Sequence, residues 1–261
     1  MEALASFLTA VYVMWYRQLK RFVRAKSRLA AAIVHPTLWM VFFGLGWAST
    51  FRMQPSASLF GGVDYPSFLA PGVAMMAVFS VAFMSGISVI WDREFGFLKE
   101  MLVAPVPREA IILGRALGDS TVAVLQGIII LLIASFMAPR LNLASIPMVT
   151  ACMFLVALSY TGVGITIGSR MTSMEGFQLI NSVISLPTLF LSGVFYPVAT
   201  MPGWMKVLAF MNPLTYGVDA GRNLLVGVGY LPIHVNFLVL SGMAASLVGF
   251  TAWAFRSATI D

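Results

Sequence analysis

The chain has 261 residues, 59% of them apolar and only 10% charged, with a strongly positive mean hydropathy, which excludes an ordinary soluble domain and indicates a membrane protein. Its formal net charge of +6 would suit nucleic acid, yet the placement of the basic residues fits a membrane better. The single cysteine, Cys152, excludes a disulfide framework or a thiolate metal site within one chain and reads as a packing residue.

Taken in chain order, Glu2 stands where a cleavable signal carries positive charge, so the start reads as mature protein. Leu4, Leu8, Val11, Trp15, Leu19 and Phe22 then recur at helical steps, with basic residues from Arg17 onward on much of the remaining surface. This predicts an amphipathic helix over 1–31 lying in the inner headgroup layer among lipids; a solvated positive flank that sets topology is the alternative.

A bilayer core needs roughly 20 mostly apolar residues per helix, and windows of about that length cover 32–51, 68–91, 116–138, 143–169, 177–197 and 233–255. Their continuity predicts helices, not the short alternating strands of a barrel. The expected fold is therefore all-α and polytopic, one membrane domain over 1–261 with six transmembrane helices. His35-Pro36 marks the start of the first span, and Pro71 is expected in the first turn of the second. Gly164 and Gly168, spaced GxxxG, with Gly162 beside them, allow close helix approach in the fourth, and Pro187 should kink the fifth or free a carbonyl for a neighbour. Between the last two windows, 197–232 is too interrupted to span. Pro202 and Pro213 each open a stretch of short-helix length, and Asn212 is the candidate cap of the second. Two short helices re-entering the outer leaflet, with Trp204 and Tyr216 at headgroup level, account for the pattern; a folded external loop packed on the spans is the alternative. With six spans, twelve of the sixteen Lys and Arg residues fall on the side of the two termini and four on the other, which places both termini in the cytoplasm.

Chemistry is sparse. His35 and His234 lie near opposite membrane faces, so neither a histidine metal site nor a Ser/His/Asp triad can form. Arg115 and Asp119, four residues apart, read as a pair on one helix face. No GxxxxGK[ST] stretch occurs, and the two LSG triplets at 191–193 and 240–242 continue with Val194 and Met243, not with the ATPase signature. The chain is thus expected to be no enzyme and to bind no cofactor of its own. What remains is WDREFGFLKE, which sets Asp92, Arg93, Glu94, Lys99 and Glu100 between two apolar windows, within a cytoplasmic segment 91–114. It reads either as a membrane-parallel helix over 92–102, with Phe95, Leu98 and Leu102 on one face and charges offered to a soluble partner on the other, or as a solvated connector.

Two stretches resemble the type-2 ABC transporter permeases, a family that includes daunorubicin-resistance-like drug exporters and Nod-factor and polysaccharide export permeases. REFGFLKEMLVAPVPREAIILGRALGD is similar to the family's E-x-x-G-T-x-E-x-L-x-x-x-P stretch: Glu94, Gly96, Glu100 and Pro105 match, while Phe97 and Lys99 depart. FLSGVFYPVATMPGWMKVLAFMNPLTYGVDAGR is similar to its L-S-G-x-x-F-P…P-x-W…N-P-L-T-Y…R stretch. The resemblance implies a permease domain of the inner membrane that pairs as a homodimer and binds two copies of a cytoplasmic P-loop ABC ATPase carrying ATP and Mg. Glu94, Gly96, Phe97, Glu100 and Pro105 would belong to the coupling helix docked on that ATPase. The path between copies, lined by the second and fifth spans, would involve Phe79, Phe83, Met84, Asn181, Leu186 and Phe190. Pro202, Trp204, Asn212, Pro213, Tyr216 and Arg222 would form an outer gate. The implied function is ATP-driven export of amphipathic or lipid-like molecules, with export of a polysaccharide, glycolipid or Nod-factor-like molecule as the alternative and a non-transporting membrane scaffold as a third reading.

Overall fold

The structure, a computed structural model, describes residues 2–48, 59–96 and 106–256, and among these every regular element is helical. In order they are α1 (Glu2–Arg24), α2 (Lys26–Trp39) running on into a π-helical turn (Met40–Leu45), α3 (Tyr65–Glu94), α4 (Arg108–Ser135), α5 (Ile146–Arg170), α6 (Met174–Leu191), α7 (Gly203–Phe210), α8 (Pro213–Val226) and α9 (Ile233–Arg256). Four of the expected spans, α3, α4, α5 and α9, are long and apolar enough to cross a bilayer. The first window folds as α2 and its π-turn, whose apolar part, Ala32–Leu45, is about 21 Å long at 1.5 Å per residue. The fifth window ends early: Ser192 and the left-handed Gly193 (φ 75°) close α6 at Leu191, so the first LSG triplet is a helix terminus and not the interior of a span.

α3 is the centre of the molecule. It starts earlier than its apolar window because Asp64 caps it, accepting from Ser67 N at 3.1 Å, and Pro66 fills the first turn. Pro71, expected in that turn, lies inside the helix. Leu69, Val73, Met76, Phe79 and Phe83 are fully buried, as required of a helix apolar on all sides. Its closest approach is to α5. A β-carbon on Gly164 would overlap the backbone of Phe83, and those on Gly86 and Gly168 would overlap the backbones of Gly164 and Gly86. Without a hydrophobic drive between helices in lipid, backbone proximity of this kind supplies the dispersion contacts that hold them. Gly162, on another face of α5, accepts instead from Thr251 Oγ1 of α9 at 2.9 Å through its carbonyl.

α1 departs from the expected single stripe. Val11, Met14, Trp15 and Gln18 pack on α4, where Gly114 and Gly118 let the backbones meet and Trp15 Nε1 donates to Thr121 Oγ1 at 3.1 Å. Leu4, Leu8, Tyr12 and Tyr16 stay exposed as a second stripe at four-residue steps, with Tyr12 and Tyr16 stacked at 6.2 Å. The helix is apolar on two sides because it meets protein on one of them.

Gly164→Ala is expected to cost about 1–3 kcal/mol by overpacking, whereas Gly249→Ala, whose β-carbon meets nothing within 4 Å, leaves stability unchanged or raises it. Thermal unfolding of the purified variants in detergent compares the two.

Candidate functional site

The charged island divides at the end of α3. Asp92, Arg93 and Glu94 form the last turn of α3, in place of the start of a separate helix, and Gly96 (φ 77°) closes it, its N–H donating to Arg93 O at 3.1 Å. Glu94 and Phe95 are exposed. Phe97, Glu100 and Pro105 lie outside the described residues, as does most of the expected helix over 92–102.

Asp92 points inward and is only 3% exposed. Its carboxylate meets Arg115 Nη1 of α4 at 2.8 Å and Arg17 Nη2 of α1 at 3.0 Å, with Arg21 Nη1 of α1 at 4.0 Å. Arg115, equally buried, also donates to Ser88 Oγ of α3 at 2.6 Å. The expected Arg115–Asp119 pair is present only at 3.9 Å, because the guanidinium turns to the nearer carboxylate on α3. A buried carboxylate needs such partners: removing one from a buried pair costs roughly 3–5 kcal/mol. Arg93 points the other way and donates to Met171 O at 3.1 Å and to Ser169 O, carbonyls at the C-terminal end of α5. The end of α3 is thereby tied to α1, α4 and α5 together. Sequence reasoning singled out this island but assigned nothing to Asp92; its signal was an acidic residue among apolar ones with basic residues on both neighbouring helices.

At the opposite end, Arg222 of α8 is 4% exposed. Its Nε donates to Phe68 O at 3.0 Å and its Nη2 to Val194 O at 2.7 Å, and it lies 3.6 Å over the Phe68 ring. Pro71 lacks the N–H that would bond back to Ser67 and opens the turn in which the Phe68 carbonyl lies. Burial pulls the guanidinium down to about 9 against the opposing field of Asp219, so it remains a cation at neutral pH. Asp219 accepts from Tyr230 N at 2.7 Å, Leu231 N at 2.9 Å and Asn236 Nδ2 at 2.8 Å. Asn212 caps α8 as expected, accepting from Leu214 N at 2.9 Å; it also donates to Thr188 O of α6 at 2.8 Å and accepts from Tyr160 OH of α5. Pro202 precedes α7, where Trp204 is exposed, but Pro213 and Tyr216 are buried and Tyr216 OH donates to Phe210 O at 2.8 Å. α8 is therefore packed among α3, α5 and α9, and Tyr216 is buried against protein.

The residues suggested for a path part company. Phe79 and Phe83 are fully buried against Tyr160 and Phe177 of their own chain, whereas Met84, Leu186 and Phe190 are exposed and Asn181 is half-buried. Among the described residues no group of His, Cys, Asp and Glu could hold a metal ion.

A long central helix anchored by buried charge at both ends, among helices long and apolar enough to cross a bilayer, describes a helical membrane protein. The ABC-2 type transporter family matches residues 9–226, and the chain belongs to it. It is 30% identical over 216 residues, 82% of its length and 71% of the relative's, to a transport permease named ycf38 of Pyropia yezoensis. It is 26% identical over 90% of both chains to the inner membrane transport permease YadH of Escherichia coli strain K12. With a protein of the same strain named as a multidrug ABC transporter permease, YbhR, it shares 28% identity over 74% of its own length and 52% of that chain.

Asp92→Asn and Arg115→Gln are each expected to destabilise the chain, and a double-mutant cycle should return a coupling of about 0.5–3 kcal/mol. Arg222→Leu, which leaves two carbonyls without their charged donor, should cost about 3 kcal/mol or more, with Arg222→Lys intermediate. Unfolding of the purified variants measures both.

Proposed function

We propose that the chain is the membrane-spanning subunit of an ATP-driven exporter that moves amphipathic or lipid-like molecules outward across the inner membrane. Membership of the family supports the class, and the printed names of YadH and YbhR support the membrane and the kind of cargo. In this reading α2 and α6 complete six crossings, both termini face the cytoplasm, and the exposed Leu4, Leu8, Tyr12 and Tyr16 stripe of α1 lies against inner-leaflet lipid. Two copies pair, and two cytoplasmic ABC ATPase subunits carry ATP and Mg. Met84, Leu186 and Phe190, exposed on α3 and α6, are the path candidates able to meet a second copy.

The observation that carries the proposal is the arrangement around Glu94. The exposed end of α3 leads directly into the segment bearing the family motif, while Asp92 and Arg93, two and one residues earlier, tie that same turn to three other helices. A push delivered to Glu94, Gly96, Phe97, Glu100 and Pro105 by a closing ATPase pair would be delivered to the whole helical body. The chain itself needs no nucleotide site for that role.

The tagged chain is expected to retain a P-loop ATPase when purified from its own membranes, with ATP hydrolysis responding to transported compounds. Glu94→Ala combined with Glu100→Ala should reduce the stimulated hydrolysis about tenfold or more while leaving the permease monodisperse. Unchanged stimulation and export in that double variant would remove the coupling role.

A further inference from the structure

A cavity of about 600 Å³ lies within the single chain, between α1, α2, α3, α4 and α6. Its size is that of sites that take drug-sized molecules. Three long helices each give it one face: Gln18, Arg21 and Phe22 from α1, Asp119, Val122 and Gln126 from α4, and from α3 a strip at helical spacing from Ala77 through Met84 and Ser85 to Trp91. The wall is apolar over most of its extent, and four of its polar lining residues hold a buried atom with no hydrogen-bond partner: Gln18 Nε2, Ser85 Oγ, Asp119 Oδ2 and Gln126 Oε1. Gln18, Ser85 and Gln126 are 4%, 8% and 2% exposed. Leaving such groups unpaired costs about 1–3 kcal/mol each, so a small side-chain rotation that turns one of them toward an occupant is favoured.

The character of that occupant follows from the charges. Asp119 lines the cavity and Arg115 does not; Arg115 is engaged by Asp92 and Ser88, and its Nε stands 3.9 Å from Asp119 Oδ2. Arg21, also on the wall, has its guanidinium at 4.0 Å from Asp92 and over the Trp91 ring at 5.5 Å. Asp119 Oδ2 is thus close to a guanidinium without receiving a hydrogen bond. Gln126 follows it two helical turns along α4, about 10 Å deeper, with Val122 between them.

We propose that this cavity is a binding site inside one copy of the chain for an amphipathic amine, its ammonium donating to the Asp119 carboxylate and its apolar body lying along Phe22, Met84 and Val122. This goes beyond the exporter reading, since the ligand sits within a copy and not between two, and its test needs no ATPase.

The test is equilibrium dialysis of the full chain in phosphatidylcholine nanodiscs, with empty nanodiscs subtracted, against 1-pyrenemethylamine, 1-pyrenemethanol and 1-pyrenecarboxylate, which share one ring system and differ in charge. Saturable binding of the amine, about tenfold or more tighter than the alcohol, is expected. Asp119→Asn should remove that advantage while sparing the alcohol, and Met84→Trp, which fills the cavity from a partly exposed position, should weaken both. No saturable binding beyond empty nanodiscs, equal affinity for amine and alcohol, tightest binding of the carboxylate, or amine binding indifferent to both variants would each overturn the proposal. The comparison of the three probes uses the unaltered chain, so a variant that fails to fold does not shield it.

Discussion

One buried carboxylate sets the geometry of one end of this protein. Asp92 is removed from water two residues before the exposed Glu94, and a lone charge there would cost many times the stability of a single contact. Its partners come from far away in the chain, Arg17 75 residues earlier and Arg115 on the next long helix. Holding them requires α1 to lie against α4, and the glycines at 114 and 118 make the approach close enough. The packing of α1 on the bundle and the burial of Asp92 therefore depend on each other.

At its other end α3 is held by a different chemistry. Arg222 donates to backbone carbonyls of α3 and of the turn after α6, Tyr65 OH donates to Phe195 O at 3.2 Å, and Asp64 caps the first turn. Between these anchors the helix meets α5 through glycine backbones. A helix fixed at both ends and pressed against a neighbour along its middle moves as a rod, and loads at one end reach the other without bending it. This is the mechanical property that the proposed coupling requires.

The helical class and the stretches of α3, α4, α5 and α9 were legible in the sequence because hydrocarbon imposes a length and forbids charge. The caps at Asn212 and the close approach at Gly164 and Gly168 were legible for local reasons. Illegible were the contacts that depend on which helix neighbours which. Arg115 and Asp119 are adjacent on one helix face, yet the closer partner of Arg115 is across the interface on α3. The stripe of α1 was visible, but its division between protein and open surface was not. α8 reads as amphipathic in one dimension, although α3, α5 and α9 bury most of it, Tyr216 included. Phe79 and Phe83 differ from Met84 only in the direction that a helical turn gives them.

Exposed apolar surface has a different meaning here than in a soluble protein. Leu179, Val183, Leu186 and Phe190 form one exposed face of α6, and in lipid that face costs nothing to leave open, since lipid tails are as apolar as the side chains. Hydrophobicity alone therefore cannot fasten a second copy to it. Polar or close backbone contacts would have to do so, and α6 carries Asn181 on its half-buried flank, its Oδ1 accepting from Ser185 Oγ at 2.9 Å. A face held mainly by weak dispersion contacts is one whose two sides can slide or part at small cost, which is what a path that opens between copies demands.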